Sequence, residues 1–374
     1  MAKEILHLYA TAAFGVEGLV AKELRKLGME QVTVENGGVF FTGTLLDAFR
    51  CNLCMFFSDR IFIVLNEGTC STFEDLFRLV GEISWEELLN GEEAINIACK
   101  CVRSQLMSER DCQAVAKKSV IERMKKATGR SVFPENGVSC PIQITIRNNL
   151  TRILLNTSGA ALSRRGYRTW NGEAPLKENL AASLVELSPW KKGMPLHDPC
   201  CGTGTILIEA AFMASERAPG LNRCFAMEEM PYLRSVSYAE IRKEIRDCFH
   251  PESCHSVISG SDISREALDL AERHISAAGV GMLVSVRNTP LQELTLNEPE
   301  GVFICNPPYG ERMSDRKSCQ KLYRDLHILK DRHPGWHLCA ISSDPGFERA
   351  YGKRADRKRR LYNGRLECNF YTFD

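Results

Sequence analysis

Residues 196–205 read LHDPCCGTGT and predict a strand that ends at Asp198, a turn through Gly202 and Gly204, and a helix that follows at once. Glycines in such a turn let the backbone approach a ligand, because they remove the side chains that would block it. The first turn of the helix offers free amide groups to an anionic part of that ligand. A Gly-x-Gly turn on its own is equally consistent with a structural role, so its surroundings have to decide.

Strands and helices alternate on both sides of this turn. Predicted strands lie at 195–198, 256–261, 283–287, 302–305 and 336–342, and predicted helices lie at 203–214, 264–278 and 317–330. This alternation predicts an α/β fold of the Rossmann-like, doubly wound type with a mostly parallel sheet. Residues 366–373 are expected to add an antiparallel edge pair, and residues 216–251 interrupt the alternation with a polar insert.

The residues before this region predict two smaller α+β units. Residues 1–70 show a strand, helix, hairpin, helix and strand, with Asn36-Gly37 as a strong hairpin turn. Residues 71–158 show a helix opened by Thr72, a strand, a long helix and a hairpin around Asn148-Asn149. The expected domains are therefore 1–70, 71–158 and 159–374.

An acid ends the second strand of the α/β region. Asp262 and Ile263 stand at this strand end, where a carboxylate can accept both ribose hydroxyls of a nucleoside cofactor. Capping of the helix that begins at Ser264 is the alternative role for Asp262. A P-loop is excluded because no Gly-Lys-Ser/Thr follows the glycine turn, and a dinucleotide site is disfavoured because Leu207 replaces the third glycine.

The apolar strand at 302–305 is followed by Asn306, Pro307, Pro308 and Tyr309, at the end of the sheet where open α/β folds place their sites. The Asn306 side-chain oxygen and the Pro307 carbonyl can each accept one hydrogen of a planar amino group. The prolines stiffen the loop and preset both acceptors, and Tyr309 offers a flat face to an extruded base. With the glycine turn, this loop predicts methyl transfer to an exocyclic nitrogen of a base.

Composition and charge narrow the protein classes. The chain has 374 residues and a net charge of +1, so any contact with nucleic acid has to come from local patches. No apolar run reaches the length of a membrane span and no export signal is visible, so we expect a cytoplasmic protein without a membrane partner. The sixteen cysteines are then expected to be reduced thiols.

Two cysteine patterns raise the question of a metal site. Cys51-x-x-Cys54 lacks a second pair at zinc-ribbon spacing. Cys248, His250, Cys254 and His255 are closer together, but they match no known ligand spacing. The sequence therefore predicts no metal site.

A basic segment lies in the second α+β unit. Residues 100–130 are rich in lysine and arginine, and a basic helix on a small α+β module can track phosphates. A solvated helix face is the alternative. A second basic run lies at 353–360. The candidate contacts on the helix are Lys117, Lys118, Arg123, Lys125 and Lys126.

The two motifs resemble those of class I S-adenosylmethionine-dependent amino-methyltransferases. More of the chain is similar to one subgroup, the bacterial THUMP-domain RNA methylases related to the 23S ribosomal RNA guanine N2-methyltransferases. Beyond the glycine turn and the Asn306 loop, the resemblance rests on SRRGYR (163–168), APLKENLAA (174–182), APGLNR (218–223) and RLYNG (360–364).

This resemblance implies a ferredoxin-like first unit, a THUMP second unit that holds structured RNA, and a methyltransferase domain that uses S-adenosylmethionine. It makes the basic helix residues candidate RNA contacts and the polar insert a family feature. In the family an acid often follows the fourth strand, whereas this chain has the uncharged Asn288. The implied catalytic residues are Asn306, Pro307, Pro308 and Tyr309. The implied cofactor contacts are Asp198, Pro199, Cys201, Gly202, Thr203, Gly204, Asp262, Ile263 and Asn288.

We therefore expect a guanine N2-methyltransferase that acts on RNA, with ribosomal RNA as the favoured substrate. An adenine N6-methyltransferase on DNA or RNA is one alternative, since the same loop serves that amine, and a non-catalytic RNA-binding protein is another. The RNA-type unit and the lack of an obvious base-reading helix argue against DNA. The sequence does not name the modified nucleotide, and it leaves the oligomeric state open with a monomer favoured.

Overall fold

The computed structural model describes residues 4–168, 176–235, 237–251, 254–309 and 313–374. Ala174 and Pro175, which begin one segment of the resemblance, lie outside the described residues. The chain divides into two compact units. The first unit contains residues of the ranges 1–12, 20–162 and 223–243, and the second contains those of 13–19, 163–222 and 244–374.

Helices and strands up to residue 156 follow the order that the sequence predicts. They are β1 (Leu6–Thr11), α1 (Glu17–Lys26), β2 (Glu30–Glu35), β3 (Gly38–Gly43), α2 (Leu45–Cys54), β4 (Ile61–Thr69), α3 (Phe73–Gly81), β5 (Ala94–Val102), α4 (Glu109–Thr128), β6 (Ser139–Arg147) and β7 (Leu150–Asn156).

Local signals set several of these ends. Thr72 caps α3 by accepting from the amide of Asp75, whose carboxylate accepts in return from the amide of Thr72. Gly129 ends α4 with a φ of 70°, a left-handed conformation that glycine adopts without steric cost. Asn148 and Asn149 also have positive φ and turn the chain between β6 and β7.

One sheet runs through the first unit in the strand order β2-β3-β1-β4-β7-β6-β5. Only the β5–β6 pair is parallel, and the other pairs are antiparallel. The pairing of β4 with β7 joins the segments that the sequence assigns to separate domains. The predicted boundary at residue 70 therefore divides the sequence but does not divide the sheet, because strands from both sides of it are hydrogen-bonded in one sheet.

The remaining elements begin after residue 176. They are α5 (Glu178–Leu187), β8 (Leu196–Asp198), α6 (Thr205–Ala214), α7 (Ala226–Glu229), α8 (Ser237–Asp247), β9 (Ile258–Asp262), α9 (Arg265–Ala278), β10 (Val284–Asn288), β11 (Gly301–Cys305), α10 (Met313–Arg332), β12 (Trp336–Ser342), α11 (Phe347–Tyr351), β13 (Arg357–Asn363) and β14 (Leu366–Phe373).

The sheet of the second unit has the order β10-β9-β8-β11-β12-β14-β13. The first five strands are parallel, and β14 runs antiparallel to both β12 and β13. This confirms the predicted α/β, doubly wound fold with a mostly parallel sheet. Among the described residues, no helix has both the length and the apolar character needed to cross a membrane.

The outermost strand, β13, was not predicted. It begins with Arg357, Lys358, Arg359 and Arg360, all of them exposed. Such a run lacks the apolar alternation of a half-buried strand, although charged residues are typical of edge strands because they oppose pairing with another chain. Residues 357–363 form a strand because they pair with β14, and their own sequence does not indicate a strand.

Part of the polar insert belongs to the first unit. The ring of Tyr238 stacks on that of Phe49 with centroids 4.2 Å apart, and the ring of Phe225 meets Phe49 edge-on. Arg242 binds the Glu228 carboxylate at 2.8 Å. Residues 223–243 therefore complete the first unit, although they follow β8 and α6 of the second unit in the chain.

Candidate active site

The candidate residues lie at the carboxyl ends of four neighbouring parallel strands of the second unit. In sheet order these strands are β10, β9, β8 and β11. Asn288 pairs in register with Asp262 across β10 and β9, and Asp198 pairs with Gly260 across β8 and β9. Because β11 lies beside β8, Asn306 follows at the same edge. The structure thus brings together the glycine turn, the acid and the Asn-Pro-Pro-Tyr loop that the sequence singled out.

The glycine turn is held in a shape that larger residues oppose. Gly202 and Gly204 have φ values of 50° and 81°, in the left-handed region that favours glycine. The amide of Gly204 donates to the Cys201 carbonyl at 2.8 Å, which closes the turn before α6 begins. His274 from α9 lies 3.2 Å from the Thr203 carbonyl through Nδ1, so a donor from a neighbouring helix also fixes the turn.

Close approach of the turn to β9 depends on a further glycine. A side chain at Gly260 would come within 2.5 Å of Leu207 and 2.9 Å of Cys201. The Cys201 amide donates to the Ser261 carbonyl at 3.0 Å, which joins the turn to β9. Cys201 is buried, so its side chain packs under the turn, while Gly202 and Thr203 are partly exposed.

Asp262 links the end of β9 to the glycine turn and to the start of α9. Its carboxylate accepts from the amide of Gly202 and from the amide of Ser264, each at 2.9 Å. The helix cap itself is Ser264, whose hydroxyl accepts from the amide of Ala267. Asp262 therefore does not act as the cap that the sequence left open. Each carboxylate oxygen can accept more than one hydrogen bond, so both keep the capacity to accept from ribose hydroxyls.

Residues on either side of Asp262 shape the adjoining surface. The side chain of Asn288 donates to the Asp262 carbonyl at 2.8 Å, which fixes it at the strand end. Ile263 is 77% exposed and gives this edge an apolar side chain. An apolar side chain beside the acid that the sequence predicts to bind ribose suits the flat base of a nucleoside.

Asp198 is the buried acid of the site. It is 1% exposed and accepts from the amide of Cys200 at 3.0 Å. Burial raises the pKa of Asp198 well above its usual range, and the nearby Asp262 carboxylate acts in the same direction while the Cys200 amide opposes it. Burial therefore favours the neutral, protonated form of Asp198.

The Asn306 loop is anchored by two tyrosines. The Tyr309 hydroxyl donates to the Asn306 side-chain oxygen, which holds the asparagine in one orientation. The Tyr323 hydroxyl from α10 donates to the Pro308 carbonyl at 2.9 Å. This second bond fixes the loop through Pro308 and leaves the Pro307 carbonyl as the other candidate acceptor. Burial raises the pKa of Tyr309, so the hydroxyl remains a donor.

The strand before the loop is rigidly packed. Every residue of β11 is buried, and the ring of Phe303 lies 4.6 Å from that of Trp336, centroid to centroid. Tyr323 packs against Phe347 at the same centroid separation. Burial of a phenylalanine side chain stabilises the fold by about 1.5–3 kcal/mol. The loop therefore extends from a strand whose position is set by the core.

Sequence reasoning missed a buried polar cluster behind the glycine turn. Arg165 and Glu209 form an ion pair at 3.2 Å with exposures of 1% and 0%, and the Tyr167 hydroxyl donates to the same carboxylate. Arg168 donates to the Thr205 hydroxyl at 2.8 Å, at the first residue of α6. Burial raises the pKa of Glu209, and Arg165 opposes that rise. The segment SRRGYR, which contains Arg165, Tyr167 and Arg168, contributed to the family resemblance but did not indicate a buried ion pair.

The candidate RNA contacts on α4 of the first unit differ in their surroundings. Lys117 binds Glu135 at 2.6 Å, Arg123 binds Glu86, and Lys125 binds Glu122 at 3.1 Å. Lys118 and Lys126 are exposed. The predicted face is thus neutralised in part, by Glu122 of the same helix and by Glu86 and Glu135, which are distant in the sequence.

A groove of about 680 Å³ runs beside α4 in the first unit. It lies between this helix and strands β5 and β6, and α4 contributes Arg110, Gln113, Ala114 and Lys117 at helical spacing. Arg60, Asn96 and Gln143 also line it. Of the five named contacts only Lys117 lines this groove, together with Arg110 from the wider basic segment at 100–130.

Three family models match the chain. The model of the RlmL ferredoxin-like domain matches residues 7–62, and that of the THUMP domain matches residues 70–156. The model of the RMKL-like methyltransferase domain matches residues 165–372, which is more than half of the chain. These matches confirm the family that the sequence motifs indicated.

Two relatives match nearly the whole chain. YpsC of Bacillus subtilis (strain 168) is 34% identical over 368 residues, which cover 98% of this chain and 95% of that protein. The ribosomal RNA large subunit methyltransferase K/L of Shewanella sp. (strain ANA-3) is 32% identical over 376 residues. The match covers 98% of this chain and 53% of that protein, so the chain spans about half the length of this relative.

Solved structures share the fold over the full chain. The crystal structure of SMU.472 complexed with SAH has a TM-score of 0.92 and 37% identity, and the match covers 99% of this chain and 98% of that one. A protein of Listeria monocytogenes str. 4b F2365, described as a "predicted N6-adenine-specific DNA methylase", has a TM-score of 0.93 and 36% identity over 99% and 96% of the two chains. With the family matches, these similarities show that the chain belongs to the RMKL-like methyltransferases that carry THUMP and RlmL-type ferredoxin-like domains.

Proposed function

We propose that this protein transfers a methyl group from S-adenosylmethionine to the N2 amine of a guanine in RNA, with 23S ribosomal RNA as the preferred substrate. The observation that carries the proposal is the loop of Asn306 and Pro307 at the end of β11, beside the turn that follows Asp198 on β8. One loop holds a planar amine and the other holds the methyl donor, at adjacent strand ends.

The cofactor site uses the groups at the ends of β8, β9 and β10. Asp262 would hold the ribose hydroxyls, and Ile263 with Asn288 would hold the adenine. Asp198, Pro199, Cys201, Gly202, Thr203 and Gly204 form the turn that receives the methionine part. When bound there, S-adenosylmethionine supplies an electrophilic methyl group on a cationic sulfur.

The target amine binds through its two hydrogens. One is donated to the Asn306 side-chain oxygen and the other to the Pro307 carbonyl, which turns the nitrogen lone pair toward the methyl group. The Tyr309 hydroxyl already occupies one acceptor position of Asn306, and an amide oxygen has two. Tyr309 can therefore hold the asparagine in place while the amine uses the second position. S-adenosylhomocysteine would be the leaving group, and the methylated nitrogen would be acidic enough to lose one proton to water without a strong base.

The substrate assignment rests on the first unit and on the relatives. A THUMP domain and the ribosomal RNA name of the K/L relative both favour RNA. Adenine N6 remains the second candidate because the same loop binds either amine and the Listeria protein is described as a DNA methylase. The loop distinguishes amines from other groups, and it does not by itself distinguish guanine from adenine.

A direct assay separates these candidates. The full chain is incubated with labelled S-adenosylmethionine and 23S ribosomal RNA, transfer RNA or duplex DNA, and the products are digested to nucleosides for mass spectrometry. We expect N2-methylguanosine from ribosomal RNA. N6-methyladenine from either polymer would replace the guanine assignment, and failure to bind S-adenosylmethionine would favour the non-catalytic alternative.

The groove beside α4 gives a prediction about RNA affinity. We expect Arg110→Ala with Lys117→Ala to weaken RNA binding, because both side chains line the groove as potential phosphate contacts. RNA binding releases counterions at each phosphate contact, so the loss of a contact reduces that release. The slope of the logarithm of affinity against the logarithm of salt concentration should therefore fall in magnitude by roughly 1–2 units for the pair. Binding of 23S ribosomal RNA is measured by fluorescence anisotropy over a series of salt concentrations.

A matched control removes the same charge from another face of the helix. Lys118→Ala with Lys126→Ala also deletes two exposed positive charges of α4, but neither residue lines the groove. Its salt slope should stay close to that of the parent. Equal losses from both pairs would mean that the helix acts through general charge and that the groove has no specific role.

A further inference from the structure

Three cysteine side chains meet inside the first unit. Cys99 and Cys101 are two residues apart on β5 and therefore point to the same face of the strand. Cys112 lies on α4, on the side of the helix that is buried. The packing of α4 against β5 brings the three thiols together.

The sulfur positions suit a shared ligand. The Sγ atoms of Cys99 and Cys101 are 3.9 Å apart, and all three Sγ atoms lie within 4.8 Å of one another. Zinc bound tetrahedrally by thiolates has Zn–S distances of about 2.3 Å, which places the sulfurs about 3.8 Å apart. One pair already has this separation, and the third thiol needs a shift of about 1 Å or less to reach it.

A carboxylate lies near one of the three residues, at Cys101. The Glu109 side chain accepts from the Cys101 amide at 3.4 Å. Glu109 precedes Cys112 by three residues on α4, so both occupy the same face of the helix. Within the described part of the chain, the three cysteines are the one group of three or more potential ligands whose atoms converge this closely.

We propose that Cys99, Cys101 and Cys112 bind a single Zn²⁺ ion, with Glu109 or a water molecule as the fourth ligand. Thiolates are soft ligands that select zinc or copper(I) over magnesium and calcium. The ion would join β5 to α4 and stabilise the first unit, because it binds the folded arrangement and not the separated segments. Sequence analysis missed the site since its ligands come from two elements at a spacing that matches no zinc motif.

Metal content tests the proposal. The full chain is purified under reducing conditions, stripped with a chelator, reloaded with Zn²⁺ and desalted before elemental analysis. We expect roughly one more bound zinc per chain in the parent than in Cys101→Ser. The zinc affinity of Cys101→Ser should be at least about tenfold weaker, because even the loss of a group that only hydrogen-bonds to a metal ligand lowers metal affinity 10–100-fold. Zinc that the other cysteines bind is present in both proteins and cancels in the difference between them.

Two further measurements keep the result unambiguous. Cobalt(II) titration should give a thiolate-to-metal charge-transfer band in the parent that is lost in Cys101→Ser, and Glu109→Gln should change the band if the carboxylate is a ligand. Cys140→Ser, at a buried cysteine on the neighbouring β6, is the control and should behave as the parent. Equal zinc content in the parent and Cys101→Ser, or a disulfide of Cys112 forming in place of metal binding, overturns the proposal.

Discussion

Asn306→Ala is expected to reduce single-turnover methyl transfer by about 10²–10³-fold, the range seen when one preorganised polar group is removed from a reacting centre. The substitution deletes the side-chain oxygen that accepts from the target amine. It leaves Asp262, Ile263 and the glycine turn in place, so affinity for S-adenosylmethionine should change little. Rapid-quench transfer and calorimetric cofactor binding measure the two effects separately.

Two comparison variants define what the Asn306 result means. Asp262→Ala removes charged hydrogen bonds worth about 1.5–3 kcal/mol, so it should weaken cofactor binding at least about tenfold. Tyr309→Phe keeps the flat ring but loses the bond to Asn306, so it should cost activity less than Asn306→Ala does. Near-normal transfer by Asn306→Ala would remove this residue from the mechanism.

Glu209→Leu is expected to destabilise the second unit by about 3–5 kcal/mol, the cost of leaving one member of a buried ion pair without its partner. The Arg165 side chain is 1% exposed and its guanidinium cannot lose its proton, so the charge stays buried. Arg165→Met should cost less, because the remaining Glu209 carboxyl can bind a proton and become neutral. Urea unfolding midpoints at an unchanged slope report both values.

The double variant Arg165→Met with Glu209→Leu is the control. Replacing a buried ion pair by apolar residues of similar size is often neutral or stabilising. The double variant should therefore recover most of the stability that Glu209→Leu loses. A double variant that is as unstable as Glu209→Leu would show that the pair is required for reasons other than its charge.

The sequence predicted those features that depend on local pattern. The strand, turn and helix around Asp198 were recognisable because glycines and an apolar run stand in a fixed order. Asp262 and Asn306 could be assigned because parallel strands present their carboxyl ends at one edge of the sheet. These predictions needed no knowledge of which distant side chains pack together.

Features that depend on tertiary packing were not predicted. Glu135 neutralises Lys117 from a position 18 residues away, and Glu86 neutralises Arg123 from 37 residues away. The edge strand at Arg357 forms because β14 pairs with it, although its own residues are charged. The Tyr309 bond to Asn306 was missed as well, since the sequence suggested only a stacking role for that ring.

The return of residues 223–243 to the first unit makes the two units inseparable by a single cut. A shortened protein that starts at residue 163 would keep Phe225 and Tyr238 but lose Phe49, so two aromatic rings would be exposed to water without their partner. Exchange of whole domains between related proteins would meet the same obstacle, because the first unit is completed by chain that follows β8. A working exchange would have to carry residues 223–243 together with the rest of the first unit.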